Sequence, residues 1–318
     1  MKTYLVTGGA GFIGSHLVED LLRRGARVRV LDNFLTGRKE NLAAFRKDIE
    51  IVKGDIREPA ACRRAVRGVD HVLHQAALPS VPRSVNDPRL TNDINITGTL
   101  NMLVAARDAG VRSFVSASSS SVYGDDPSLP KKEGREGKPL SPYAVSKLVG
   151  EKYCRVFRDL YGLNTVSIRY FNIFGPRQDP FSQYAAVIPN FITRLLRGER
   201  PVIFGDGEQS RDFTYVANVV EAHLLAAEAS GVGGEVFNLA CADRITVNDL
   251  VRGLNAILET DLPAVYEPAR PGDILHSFAD IAKAAAGLSY RPSVAFQDGL
   301  RRTVDWYRER SATWDKKR

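Results

Sequence analysis

The chain has 318 residues, 44% of them hydrophobic and 25% charged. This composition excludes a disordered or low-complexity protein, and the length suits one large α/β domain with a smaller lobe. The net charge of +7 is spread over pairs such as Arg23-Arg24, Arg38-Lys39 and Lys131-Lys132; a nucleic-acid face needs a basic stripe on a known module, and no apolar run approaches a membrane span.

Met1-Lys2 leads straight into an apolar strand, so no signal peptide is expected. The first half then alternates apolar runs with helical periods. Strands are predicted at Thr3–Thr7, Arg27–Leu31, Ile49–Val52, His71–His74, Ser113–Ala117 and Thr165–Arg169, and helices at about 12–24, 59–67, 88–109 and 142–161. Alternation of this kind makes right-handed βαβ crossovers, hence a Rossmann-type doubly wound parallel sheet covered on both faces. After about residue 175, Pro176, Pro180, Pro189 and Pro201 punctuate the chain. Helices near 186–197, 216–229, 246–258 and 296–309, with strands near 201–204 and 235–239, predict a smaller C-terminal α/β lobe. The expected division is a dinucleotide-binding domain at 1–175 and a mainly substrate-binding lobe at 176–318, with later segments returning to the first. Cys62, Cys154 and Cys241 are widely spaced without metal-ligand spacing. They predict inert thiols in a reducing cytoplasm, and no metal site.

Residues 7–14 read Thr-Gly-Gly-Ala-Gly-Phe-Ile-Gly, between the first strand and the first helix. Gly8 permits a tight turn, Gly11 lets the backbone approach a pyrophosphate, and Gly14 lets the helix pack against the strand. The same glycines also fit a register starting at Gly9. The helix N-terminus offers free N–H groups to phosphates. The second strand ends at Asp32, about 20 residues beyond the glycines, where a carboxylate accepts from both ribose hydroxyls and repels a 2′-phosphate. That pattern predicts NAD as cofactor. Asp55 and Ile56 follow the third strand and would meet the adenine; Gln75, Ala76 and Ala77 end the fourth, where small residues suit close passage of a cofactor. His74 reads as a packed strand residue.

Of eleven tyrosines, only Tyr143 has a lysine four residues on, Lys147, which shares its helix face. A lysine charge, together with that of the nicotinamide, is expected to lower the phenol's pKa from about 10. Tyr143 would then serve as general base at a sugar or alcohol hydroxyl. Ser118–Ser121 sits beyond an apolar strand, where ligands lie in open α/β sheets. One of its hydroxyls would share the substrate's proton.

Together these residues resemble the extended short-chain dehydrogenase/reductase family, with the nucleotide-sugar 4-epimerases as the nearest branch. The resemblance runs through Thr7–Gly14, Asp32-Asn33, His74–Ala77, Ser118–Gly124, Ser141–Lys147, Arg169–Asn172, Gly175–Pro180 and Gly205–Tyr215. By motif position it implies Ser119 as Tyr143's catalytic partner. It adds Phe12, Ile13, Asn33, Asn95 and Tyr170 to the cofactor site. For a UDP-sugar it implies Ser80, Ser120, Asn172, Gln178, Ala186, Val187, Arg211, Arg270, Asp273 and Ser277, the arginines holding the diphosphate. Related dehydratases carry Asp and Glu where Ser120 and Ser121 stand, so loss of water is disfavoured. Strict glucose/galactose epimerases tend to hold tyrosine where Ser277 stands, and a serine leaves room for an N-acetyl group. Pro79 departs from the expected glycine. The implied activity is inversion at carbon 4 of UDP-GlcNAc/UDP-GalNAc, and of UDP-Glc/UDP-Gal. The alternatives are a UDP-glucuronate epimerase or decarboxylase, and a non-catalytic nucleotide sensor, which the intact Ser119, Tyr143 and Lys147 disfavour. A homodimer paired through the helices at 88–109 and 142–161 is also implied.

Overall fold

The computed structural model describes residues 1–180, 186–269 and 275–311. The first half places β1 (Thr3–Thr7), β2 (Arg27–Asp32), β3 (Ile49–Lys53), β4 (His71–His74), β5 (Ser113–Ser119) and β6 (Thr165–Tyr170) in one parallel sheet. Helices α1 (Phe12–Arg23), α2 (Pro59–Val66), α3 (Val81–Asn86), α4 (Pro88–Asn92), α5 (Gly98–Asp108) and α6 (Pro142–Tyr161) connect them. The second half supplies β7 (Ile173–Phe174), α7 (Val187–Leu196), β8 (Val202–Phe204), β9 (Ser210–Arg211), β10 (Thr214–Tyr215), α8 (Val216–Glu228) and β11 (Glu235–Leu239). It continues through β12 (Ile245–Thr246), α9 (Val247–Leu258), β13 (Val265–Glu267), β14 (His276–Ser277), α10 (Ala282–Leu288) and α11 (Phe296–Ser311).

The large sheet runs β11-β6-β5-β4-β1-β2-β3. The order reverses between β1 and β4, so the crevice for a ligand opens beyond the C-terminal ends of those strands. The seventh strand, β11, joins the sheet beside β6 from well beyond residue 175. Alternate residues of β1 feed opposite faces: Tyr4 and Val6 pack with Leu17, Val18 and Val219, while Leu5 packs with Val72, Met102 and Phe114. Burial on both sides is why the central strands read as near-continuous apolar runs. A third core in the second half gathers Phe174, Phe213, Tyr215 and Phe296 between α7, α9 and α11. Among the described residues, no helix is long and apolar enough to cross a membrane.

One expectation changes. The helix expected at 88–109 is one helical run interrupted by a π turn at Asp93–Thr97. A Cβ on Gly98 would lie 2.6 Å from Ile56, so the chain approaches that side chain closely, and Asn95 is turned inward. The long segment after Gly124 is pinned to the fold. Glu133 accepts from Asn238 N at 2.6 Å, and Glu136 accepts from Arg169 at 2.5 Å. Cys62 and Cys154 are buried, and burial pushes their thiols up to about 12 and about 11.

Close contact at α1 yields a prediction. A Cβ on Gly14 would stand 2.2 Å from the Gly8 carbonyl oxygen. Gly14→Ala should destabilise the protein by about 1–3 kcal/mol, the usual cost of overpacking, and weaken cofactor retention. An unchanged melting temperature would contradict this packing.

Candidate active site

The turn after β1 shows what each glycine does. Gly8 has φ +67°, and a Cβ there would lie 2.8 Å from the Ala76 backbone nitrogen. Only glycine fits a turn pressed against the end of β4. Gly9 is held from the other side by Val30, 2.8 Å from its would-be Cβ. Gly11 caps α1 without any side-chain hydrogen bond to the helix, which leaves the first N–H groups free. The register starting at Gly8 therefore makes the tight turn, and Gly9 serves packing.

These residues border a cleft of about 740 Å³. Its walls include Gly8, Gly11, Phe12, Ile13, Gly14, Asp32, Asn33, Asp55, Ile56, Gln75, Ala76, Ala77, Tyr143, Lys147 and Tyr170 from the expected cofactor set. Ser80, Gln178 and Ala186 from the expected substrate set line it too. A dinucleotide fits this wall: uncapped helix N–H groups face a carboxylate at the end of β2. Asp32 is buried and accepts from Ala10 N at 2.9 Å and Phe34 N at 2.7 Å. Burial raises its pKa, and the two N–H bonds oppose that rise. Two of a carboxylate's roughly four acceptor positions stay open for hydroxyls.

Several side chains are more committed than sequence suggests. Asp55 is held by the Arg57 fork and by Asn33 at 2.8 Å, and these bonds, Arg57 foremost, hold its carboxyl down at about 2. Asn95 is bonded within the protein. Its oxygen accepts from Leu78 N at 2.7 Å, and its amide hydrogens go to Leu78 O and Ser146 Oγ. With both donors taken, Asn95 ties the segment after β4 to α6. His74 is indeed packed: burial lowers its pKa to about 3, and it bridges Thr7 and Thr99.

Tyr143 and Lys147 stand half-buried on the cleft wall at the first turns of α6, whose Ser141 cap accepts from Ala144 N at 3.1 Å. Ser119 ends β5 and accepts from Ser121 N at 3.2 Å, starting the turn Ser120–Tyr123. The expectation for Tyr143 counted the nicotinamide's charge; in the protein alone its pKa is raised. Burial raises it, and the only opposing group is the nearby Ser119 hydroxyl. Lys147 Nζ lies 5.9 Å from the phenol ring centre and donates to the Ala117 carbonyl at 2.9 Å. Burial lowers the Lys147 pKa to about 8, opposed by Glu151 one turn further along α6. Glu151 is itself buried, accepting from Ser118 at 2.5 Å and from the Arg169 fork at 2.7 and 2.8 Å. This ion pair behind the site had no sequence signal beyond residue type.

The remaining substrate candidates lie in the second half. Arg211 and Ser277 are register partners on β9 and β14. Asn172, at φ +43°, donates to the Asp212 carbonyl at 3.3 Å, which places it beside the same strand. Asp212 is fully buried, and burial raises it to about 6. Gln178 donates to Ile173 O at 3.2 Å, and its Oε1 is buried without a partner. Ser80 caps α3 at φ +112°, a backbone strain often found at functional sites. Val187 opens α7 next to Ala186. Arg270 and Asp273 fall outside the described residues. Sequence reasoning missed Arg38, Arg83 and Arg177 on the cleft wall; each looks like a surface charge in the sequence.

Lys147 should trade stability for function. Its folded pKa lies below the ordinary 10.5, so the folded state binds the proton more weakly than the unfolded chain. The penalty is full below pH about 8 and vanishes as the pH rises towards 10.5. Lys147→Met should therefore gain stability at pH 7, on the order of 1 kcal/mol after loss of the Ala117 bond, with no gain above pH 11. Chemical unfolding at both pH values checks this; a loss of stability at pH 7 would contradict it.

The chain's residues 4–240 match the family model described as NAD dependent epimerase/dehydratase family. It is 39% identical to a UDP-glucose 4-epimerase of Mycolicibacterium smegmatis, covering 98% of this chain and 100% of that protein. It is 38% identical to a putative UDP-glucose 4-epimerase of Methanocaldococcus jannaschii, covering 97% and 99%. The solved UDP-N-acetylglucosamine 4-epimerase of Methanobrevibacter ruminantium, in complex with UDP-N-acetylmuramic acid, superposes with a TM-score of 0.93 at 43% identity, over 97% of this chain and 99% of that one. The glycine turn, the carboxylate ending β2 and the Tyr143–Lys147 pair thus sit on a fold shared along nearly the full length, and the chain belongs to the NAD dependent epimerase/dehydratase family.

Proposed function

We propose that this protein is an isomerase that inverts carbon 4 of a UDP-hexose, acting on UDP-GlcNAc/UDP-GalNAc and also on UDP-Glc/UDP-Gal. The observation that carries the reading is Tyr143 and Lys147 on the wall of a cleft whose other end is the α1 N-terminus, with the Ser119 hydroxyl beside Tyr143 at the end of β5. NAD, when bound, would supply a reversible hydride acceptor. Tyr143 takes the proton of the 4-hydroxyl while Ser119 steadies that hydroxyl. The transient product is a 4-keto sugar, and Tyr143 returns the proton when the hydride comes back to the other face.

Lys147 supplies the site's nearest cation, yet burial leaves the phenol above its ordinary pKa in the protein alone. The oxidised cofactor, when bound, would add a positive charge that acts in the lowering sense. Support for acetamido sugars comes from the small Ser277 beside Arg211 and from the free Gln178 Oε1 acceptor at the cleft. The solved relative named for UDP-N-acetylglucosamine points the same way. The second-half lobe binds the nucleotide, with Arg211, Arg270 and Asp273 on the UDP. A homodimer is part of the reading: Val145, Val156, Leu160 and Tyr161 on α6 and Val81 and Val85 on α3 are exposed apolar groups that a second copy would cover.

Incubation with each UDP-hexose, followed by product separation, tests the reading. 4-Epimers of UDP-GlcNAc and UDP-Glc are expected; turnover confined to UDP-glucuronate, or none, would overturn it. Tyr143→Phe should retain NAD and lose about 10²–10⁴ in kcat. Ser277→Tyr should abolish turnover of the N-acetylated pair and spare UDP-Glc. Equal effects on both pairs would remove Ser277 from sugar choice.

A further inference from the structure

Three polar side chains behind the cleft fix one another's protons. His223 on α8 is fully buried, with Nδ1 2.9 Å from the Val219 carbonyl. A carbonyl only accepts, so Nδ1 carries the hydrogen. Burial lowers the imidazole pKa to about 4, which leaves Nε2 a bare lone pair at neutral pH. Gln75 Nε2 lies 2.9 Å from that lone pair. Only an N–H can face a bare nitrogen, so the amide has one allowed orientation and its oxygen points the other way. That oxygen lies 2.7 Å from the Tyr170 hydroxyl, and the same hydroxyl is 2.9 Å from His223 Nε2. Nε2 has one lone pair and the Gln75 amide takes it, so the Tyr170 proton goes to Gln75 Oε1.

Tyr170 and Gln75 line the cleft together with Tyr143, and the two phenols feel each other's charge. A site with two phenols could exchange a proton through either. We infer that His223 is a positioning residue: its Nδ1–H tautomer orients the Gln75 amide and makes Tyr170 a fixed donor to the protein, which leaves Tyr143 as the phenol that exchanges a proton with the sugar. Burial also holds Tyr170 well above the ordinary phenol range, in the same sense. This inference rests on the assignment of Tyr143 above.

The test has two arms. In the first, nitrogen NMR of histidine-labelled protein with its cofactor should show His223 with Nδ1 protonated and Nε2 bare at pH 7, the signal being assigned by its absence in His223→Gln. A ring protonated at Nε2, or charged, overturns the inference. In the second, kinetics are measured with UDP-GlcNAc and UDP-Glc. His223→Leu removes the acceptor and should lower kcat roughly three- to tenfold, the value of one hydrogen bond, with KM and bound NAD unchanged. His223→Gln, whose amide oxygen can replace Nε2, should restore most of the loss. Wild-type kcat in the Leu variant, or equal losses in both, overturns the inference. If the Leu variant does not fold, the tautomer and the Gln variant decide. If the wild type turns over neither sugar, the assignment of Tyr143 fails instead, and the tautomer arm still reports on His223.

Discussion

The contact of the Gly8 turn with the Ala76 backbone is the constraint on which the site depends. It exists because β1 and β4 are neighbours where the sheet order reverses. A side chain at Gly8 would hold the two strand ends apart, and one at Gly14 would push α1 off the turn. With both glycines in place, the helix N-terminus and the small residues ending β4 form one wall. Tyr143 and Lys147 stand on the same cleft. Packing at the turn and acid–base chemistry some distance away are thereby linked.

The chemistry side of the cleft is built on buried polar order. Glu151 and Arg169 pair behind Lys147, Asn95 ties the segment after β4 to the helix that carries Tyr143, and His223 orders Gln75 and Tyr170. The partners come from different strands and helices, and within the Arg169 fork Nη1 alone is buried without a partner. Such networks are costly when half-made and rigid when complete. Rigidity is what a site needs if the same atoms are to take a proton, wait and return it.

Much of this was legible in the sequence. The predicted strand at residues 71–74 and the helix at 142–161 match β4 and α6, because a short apolar run and a long helical period are distinct there. Asp32, Tyr143 and Lys147 announced themselves through spacing. The two- and three-residue strands of the second half did not, since pairs such as Ser210–Arg211 have no period to read. Neither did the roles of Asn95 and His223. An asparagine and a histidine inside helical patterns look like any others until the fold sets partners around them. At Tyr143 the lysine is visible in the sequence, whereas the burial that raises the phenol in the protein alone is not.

The central claim is that the hydride is borrowed from carbon 4 and returned to the same carbon. The direct measurement uses UDP-hexose carrying deuterium at carbon 4, incubated in ordinary water with the protein and analysed by mass spectrometry and NMR. The account predicts a 4-epimer that keeps its deuterium at carbon 4. Epimer in which that deuterium has been replaced by solvent hydrogen would contradict it.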